Sequence, residues 1–162
     1  MSSEWSEWVP VANWLKKGWN MDPKAPCEKG VYRFRVVLSH PERAGEVVYI
    51  GRAGEQGKRL SYGGICARLA NFITAAMGFW THSGGEKFYR TAADDELNIV
   101  GHNLRVFDLE VSWAIDDDPE CREAEELKRF GKEKPVFNTD EPRTCKREDC
   151  PRRKIIRELT QS

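Results

Sequence analysis

The stretch Gly30-Val31-Tyr32-Arg33-Phe34-Arg35-Val36-Val37-Leu38 constrains the fold of this chain more than any other. From Tyr32 onward its even positions are aromatic or apolar, and arginines stand between them at 33 and 35. An extended backbone sends successive side chains to opposite faces, so this pattern predicts a strand with one buried face. Turn-forming residues follow from His40 to Glu46, and then a second apolar run, Val47-Val48-Tyr49-Ile50-Gly51. Two strands joined by so short a turn pair as an antiparallel hairpin.

The rest of the chain supplies what covers that hairpin. Ala53 to Gly64 is a Gly-rich loop carrying Lys58 and Arg59, and from Ile65 the apolar positions Leu69, Phe72, Ile73, Ala76 and Met77 recur at helical spacing, predicting a helix to about Gly78. Residues 79–99 read as irregular and acidic, and Leu104 to Ile115 as a third strand. Asp116-Asp117-Asp118-Pro119 is a helix N-terminal signal, since carboxylates complement the positive end of the helix dipole and Pro suits the first turn. That helix is expected from Pro119 to about Phe130, stopping at Gly131.

At 162 residues the chain suits a single domain. Residues 1–29 form a Trp-rich extension in which Trp5, Trp8, Trp14 and Trp19, broken by Pro10, read as one or two short helices capping the core. Residues 30–138 make the core, and 139–162 a basic tail with a helical period near its end. No apolar run is long enough for a membrane span and the N-terminus lacks a signal-peptide pattern, which makes the cytoplasm the expected address. Five cysteines, an odd number without a Cys-x-x-Cys pair, read as reduced thiols. Cys145 and Cys150 have the spacing of half a metal knuckle, but no second pair lies nearby.

The 26 basic and 26 acidic residues cancel, which argues against coating nucleic acid by bulk charge. The distribution is uneven: residues 31–80 carry a basic excess and 81–120 an acidic one. One half can therefore meet phosphate while the other repels it.

Four residues stand out chemically. Glu123, Leu127 and Phe130 share one helical stripe, so Glu123 points a carboxylate along the expected core-facing side. Glu125 faces away, and Glu126 is the alternative if the register is wrong by one turn. Arg68 flanks the stripe of the earlier helix, and Tyr32 and Tyr49 lie on paired strands, so all four could converge over one sheet face. Singly, each has an ordinary structural explanation. His82 reads as a surface-loop histidine, with DNA contact as the alternative. The 54–59 loop is not a phosphate loop, because it lacks the required Gly spacing and the Ser/Thr after Lys58.

In order and spacing, Gly30-Val31-Tyr32, Tyr49-Ile50-Gly51, Arg68 on the next helix, Glu123 on a later one and Pro135-Val136-Phe137-Asn138 together resemble the GIY-YIG nuclease family over residues 30–138. The resemblance implies an α+β domain with a central three-stranded antiparallel sheet flanked by helices. It implies an endonuclease that hydrolyses DNA phosphodiesters with one Mg²⁺ (or Mn²⁺) and no organic cofactor.

Carried over by position, Glu123 would bind the metal, Tyr32 would activate or orient the attacking water, and Arg68 would stabilise charge on the phosphate. Tyr49 would position the same group and Asn138 would support the site, with Arg52, Lys58 and Arg59 contacting DNA. A tyrosine titrates near about 10, so Tyr32 acts as a base only if a cation lowers it. A compact stand-alone member is expected to be restriction-like, and cutting both strands of a palindrome calls for a homodimer or two successive nicks. The competing expectation is a catalytically silent nucleic-acid-binding or regulatory module on the same scaffold.

Overall fold

The computed structural model describes residues 4–16, 24–54, 63–79, 82–93, 104–130, 135–138 and 149–161. The predicted hairpin is its centre: β2 (Gly30–Val36) and β3 (Val47–Ala53) pair antiparallel with Tyr32 opposite Gly51 and Phe34 opposite Tyr49. A register shift between Phe34 and Arg35 marks a bulge near the turn. On its other side β2 pairs antiparallel with β4 (Leu109–Ile115), Tyr32 lying opposite Trp113.

Among the described residues the sheet has four strands rather than the expected three, in the order β1-β4-β2-β3, because β1 (Val9–Pro10) adds to β4. Two residues, one of them a proline without an N–H, leave no periodic signal, and Pro is tolerated there because the strand is an edge. Helix α1 (Val11–Lys16) follows and buries Trp14 completely, its indole stacked on Trp113 at 6.0 Å. Residues 4–8, before β1, carry no helix, so Trp5 and Trp8 do not lie on one. Trp5 and Trp8 cover the arginines of β2: the Arg33 guanidinium lies 4.0 Å from the Trp5 ring centre and Arg35 lies 4.1 Å from that of Trp8.

Helix α2 (Gly64–Ala76) packs against the face of β2 and β3 that carries Tyr32, Phe34 and Tyr49, with Phe34 stacked on Phe72 at 4.1 Å. Helix α3 (Ser83–Ala93) packs on α2 and occupies a stretch expected to be irregular. Its glycines and charged residues hide a helix whose apolar anchor is Phe88, buried against Phe137. The third strand starts at Leu109, later than expected, after a 3-10 turn at Val106–Asp108.

Helix α4 (Pro119–Arg129) begins as predicted, with the Asp118 carboxylate accepting from Cys121 N. Helix α5 (Arg152–Gln161) packs against α4. Because α4 lies between the sheet and α5, it buries more than one stripe, and two expectations for it change. Glu125, expected to face away, is buried and held by Arg129 at 2.6 Å and Arg152 at 3.1 Å, whereas Phe130 is exposed. Arg152 also forks onto the buried Asp116 carboxylate at 2.9 and 2.8 Å, so this tail arginine is spent on anchoring α5. Among the described residues no helix is long and apolar enough to cross a membrane.

Candidate active site at the edge of the sheet

Cross-strand partners share a face, so Tyr32, Phe34, Tyr49 and Gly51 look toward α2. The Tyr32 and Tyr49 rings are neighbours, with centroids 6.1 Å apart. Gly51 makes the arrangement possible, because a Cβ there would lie 2.6 Å from the Tyr32 Cζ and Oη atoms and 2.7 Å from Tyr49 Cε1. The glycine of the second tripeptide is thus the floor on which the first tyrosine lies. Gly84, at the start of α3, gives Tyr49 the same room, its Cβ position falling 2.3 Å from that ring.

His82 closes the cluster and corrects the sequence reading, since it is buried rather than a surface-loop residue. It is the N-cap of α3: its Nδ1 accepts from the backbone N–H groups of Gly84 at 3.2 Å and Gly85 at 3.4 Å, while its carbonyl accepts from Glu86 N. A ring nitrogen that accepts carries no proton, so the proton sits on Nε2, which donates to Tyr32 Oη at 2.9 Å. Burial, and secondly the positive charge of Arg68, push His82 down to about 3, keeping the imidazole neutral. A polar residue capping a helix right after a loop was the available signal, masked by histidine's rarity as a cap.

Arg68 reaches the phenols from α2. Burial raises Tyr32 to about 12; Arg68 opposes this by charge and by hydrogen bonding, and Glu123 adds to it. Burial also raises Tyr49 well above 10, with Tyr32 and the Glu123 charge pushing the same way and Arg68 opposing. Arg68 Nε is buried and makes no hydrogen bond within the described structure.

Glu123 comes from the other side of the sheet. Arg33 and Arg52 share the face opposite Tyr32, and α4 lies on that face: Arg52 Nη1 is 3.4 Å from Glu120 Oε1 and 3.5 Å from Glu123 Oε2, while Glu126 and Arg122 act on Arg33. The expected convergence over one sheet face is therefore a convergence at the β3 end of the sheet, where Glu123 acts on both phenols from beyond their own face. Glu126 pairs with Arg122 at 2.9 Å on the side of Trp5, so Glu123 is the α4 carboxylate whose charge acts on the tyrosines.

Asn138 acts on backbone. Its Oδ1 accepts from Ile50 N at 3.0 Å and its Nδ2 donates to Ile50 O at 2.7 Å, and Phe137 N donates to Val48 O. The Phe137-Asn138 pair thus satisfies the outer edge of β3 next to Gly51. Lys58 and Arg59 lie outside the described residues.

A second set of donors, Asp118, Cys121 and Cys150, lies with its ligand atoms within 4.8 Å of one another. It does not suit a metal, because Cys121 is disulfide-bonded and the Asp118 carboxylate caps α4. The disulfide also overturns the expectation of reduced thiols at Cys121; among the described residues Cys27, Cys66 and Cys150 are free. Comparison with family models, with characterised proteins and with solved structures finds no match.

Proposed function

We propose that the chain is a metal-dependent phosphodiester hydrolase of the GIY-YIG type acting on DNA. The observation that carries this reading is that the Tyr32 phenol, held by His82 at 2.9 Å, lies in the field of a cation from α2, Arg68, and of an anion from α4, Glu123.

The residues fit the roles. Arg68 brings an unused buried donor to the phenols, which suits a phosphate oxygen. Tyr32 stays protonated at neutral pH, so of its two expected roles it orients water or phosphate by hydrogen bonding, with His82 fixing its oxygen. Tyr49 packs beside it, and Asn138 holds the strand carrying Tyr49 and Gly51. Glu123, half-buried with Glu120 close by, offers the carboxylate oxygens that Mg²⁺ or Mn²⁺ prefers. Bound there, the ion would supply positive charge for the leaving oxygen of the scissile phosphate.

The competing reading, a silent nucleic-acid-binding module, draws on Arg52, which already sits on the Glu123 and Glu120 carboxylates. Incubation of the protein with supercoiled plasmid and phage DNA, in Mg²⁺ or in EDTA, separates the two. Metal-dependent cleavage lost in Glu123→Gln supports the hydrolase; discrete fragments would make it restriction-like. DNA retained on the protein but left intact, with or without metal, supports the silent module.

A further inference from the structure

Cys27 and Cys66 lie 39 residues apart in sequence, yet their sulfurs stand 2.7 Å apart where the chain entering β2 crosses the first turn of α2. The backbones there are joined on both sides of the pair: Cys66 N donates to Pro26 O at 2.9 Å and Ile65 N to Glu28 O at 3.0 Å. Gly64, at φ +69°, lets them approach so closely that a Cβ on it would fall 2.1 Å from the Cys27 carbonyl oxygen. A disulfide needs its sulfurs at about 2.05 Å, so bond formation here asks the two sulfurs to close further from 2.7 Å. Cys27 is exposed and reachable by an oxidant from solution, whereas Cys66 is partly covered and also hydrogen-bonds the Gly63 carbonyl at 3.0 Å.

From this geometry we infer that Cys27 and Cys66 are a peroxide-responsive pair whose oxidation ties the entry of β2 to the first turn of α2. Two thiols alone make a poor metal site, and among the described residues no third donor joins them. Burial, and then the neighbouring Cys27 sulfur, push Cys66 up to about 11, so its thiol keeps its proton at neutral pH and the exposed Cys27 meets the oxidant first. The Cys27 sulfur attacks a hydroperoxide; the O–O bond breaks, giving Cys27 sulfenic acid and one molecule of alcohol or water. The Cys66 sulfur then attacks the sulfenic sulfur, the S–O bond breaks, and the hydroxyl leaves with the Cys66 proton as water. Each sulfur loses one electron, and the two reduce the peroxide.

The bond would pin the helix that carries Arg68, two residues after Cys66, to the chain that leads into Tyr32. The inference does not depend on what that site does.

The test uses the purified full chain treated with hydrogen peroxide or with dithiothreitol, alkylated with iodoacetamide, digested and weighed. The expected product is a Cys27–Cys66 linked peptide pair, formed with peroxide and lost on reduction. The oxidised protein should melt higher than the reduced one by roughly 5–15 °C more than the same difference measured in Cys27→Ser. Both cysteines alkylated after peroxide, Cys27 left as a sulfenic or sulfinic acid, or Cys27 linked to another cysteine would each overturn the inference. So would an equal melting difference in Cys27→Ser.

Discussion

His82 Nε2 donates to the Tyr32 hydroxyl at 2.9 Å while the same ring's Nδ1 caps α3, so one imidazole ties the catalytic candidate on β2 to the start of a helix that follows α2. The cap needs Nδ1 without a proton and hence the neutral ring, while the donation to Tyr32 needs a proton on Nε2.

Acid should break this tie. His82 sits near 3 in the fold and near about 6.5 in the unfolded chain, so between those values the unfolded state binds more protons. Stability from this group is complete above pH 6.5 and falls as the pH drops toward 3, by on the order of 2–4 kcal/mol. Urea midpoints measured from pH 7 to 4 should show the loss, and His82→Asn should flatten it, since asparagine caps α3 without titrating there. An equally steep fall in the variant would place the effect elsewhere.

Gly51→Ala should disturb both tyrosines, because the added methyl lands 2.6 Å from Tyr32 and 2.7 Å from Tyr49. The expected cost is roughly 1–3 kcal/mol, with tyrosine fluorescence or near-UV circular dichroism changed in the folded protein. An alanine variant as stable as the parent, with unchanged spectra, would contradict this packing.

Removing charge from the site should separate chemistry from folding. On the proposed function, Glu123→Gln and Arg68→Ala are each expected to lower DNA cleavage by at least about 100-fold. Neither side chain is fully buried, so melting temperatures should stay near the parent's. Arg68→Lys keeps the charge but loses the guanidinium fork, and should fall between the parent and Arg68→Ala. Plasmid nicking rates alongside thermal melts give both readouts.

Arg152→Ala should destabilise by about 3–5 kcal/mol, because it leaves the buried Asp116 carboxylate without its arginine and takes one of two arginines from Glu125. Hydrogen exchange should show α5 losing protection before the sheet does. Protection unchanged along α5 would mean that Ile156, packed in the cluster of Cys121, Ala124 and Cys150, suffices to hold it.

Asn138→Ala removes both hydrogen bonds to Ile50 and should cost about 1–3 kcal/mol in denaturant titrations. Asn138→Asp keeps the acceptor for Ile50 N but sets a carboxylate oxygen against Ile50 O, so a cost at least as large is expected.

Much of this protein is legible in its residues. Alternation from Tyr32 to Val36 specifies a strand with arginines on one face and aromatics on the other, and helical spacing from Ile65 specifies α2. Asp118 and Pro119 place the start of α4. These are local signals, and local sterics, capping and burial periodicity suffice to produce them. The candidate site residues Tyr32, Tyr49, Arg68, Glu123 and Asn138 stand out together, by an order and spacing that resemble the GIY-YIG family, and not one by one.

What the sequence by itself could not determine is what each meets across the fold. That β1 joins the sheet depends on backbone pairing with Val111 and Glu110, a partner choice that two residues do not encode. His82 was misread because its burial comes from α2, Phe72 and Tyr49 packing over it, and Glu125 because α5 covers a face of α4 that periodicity leaves to solvent. The Glu123 charge acts on the tyrosines from the opposite face because β3 lies at the end of the sheet, beside the residues that α4 presents. Burial and charge at each of these points are set by neighbours distant in sequence, and only the tertiary structure brings those neighbours together.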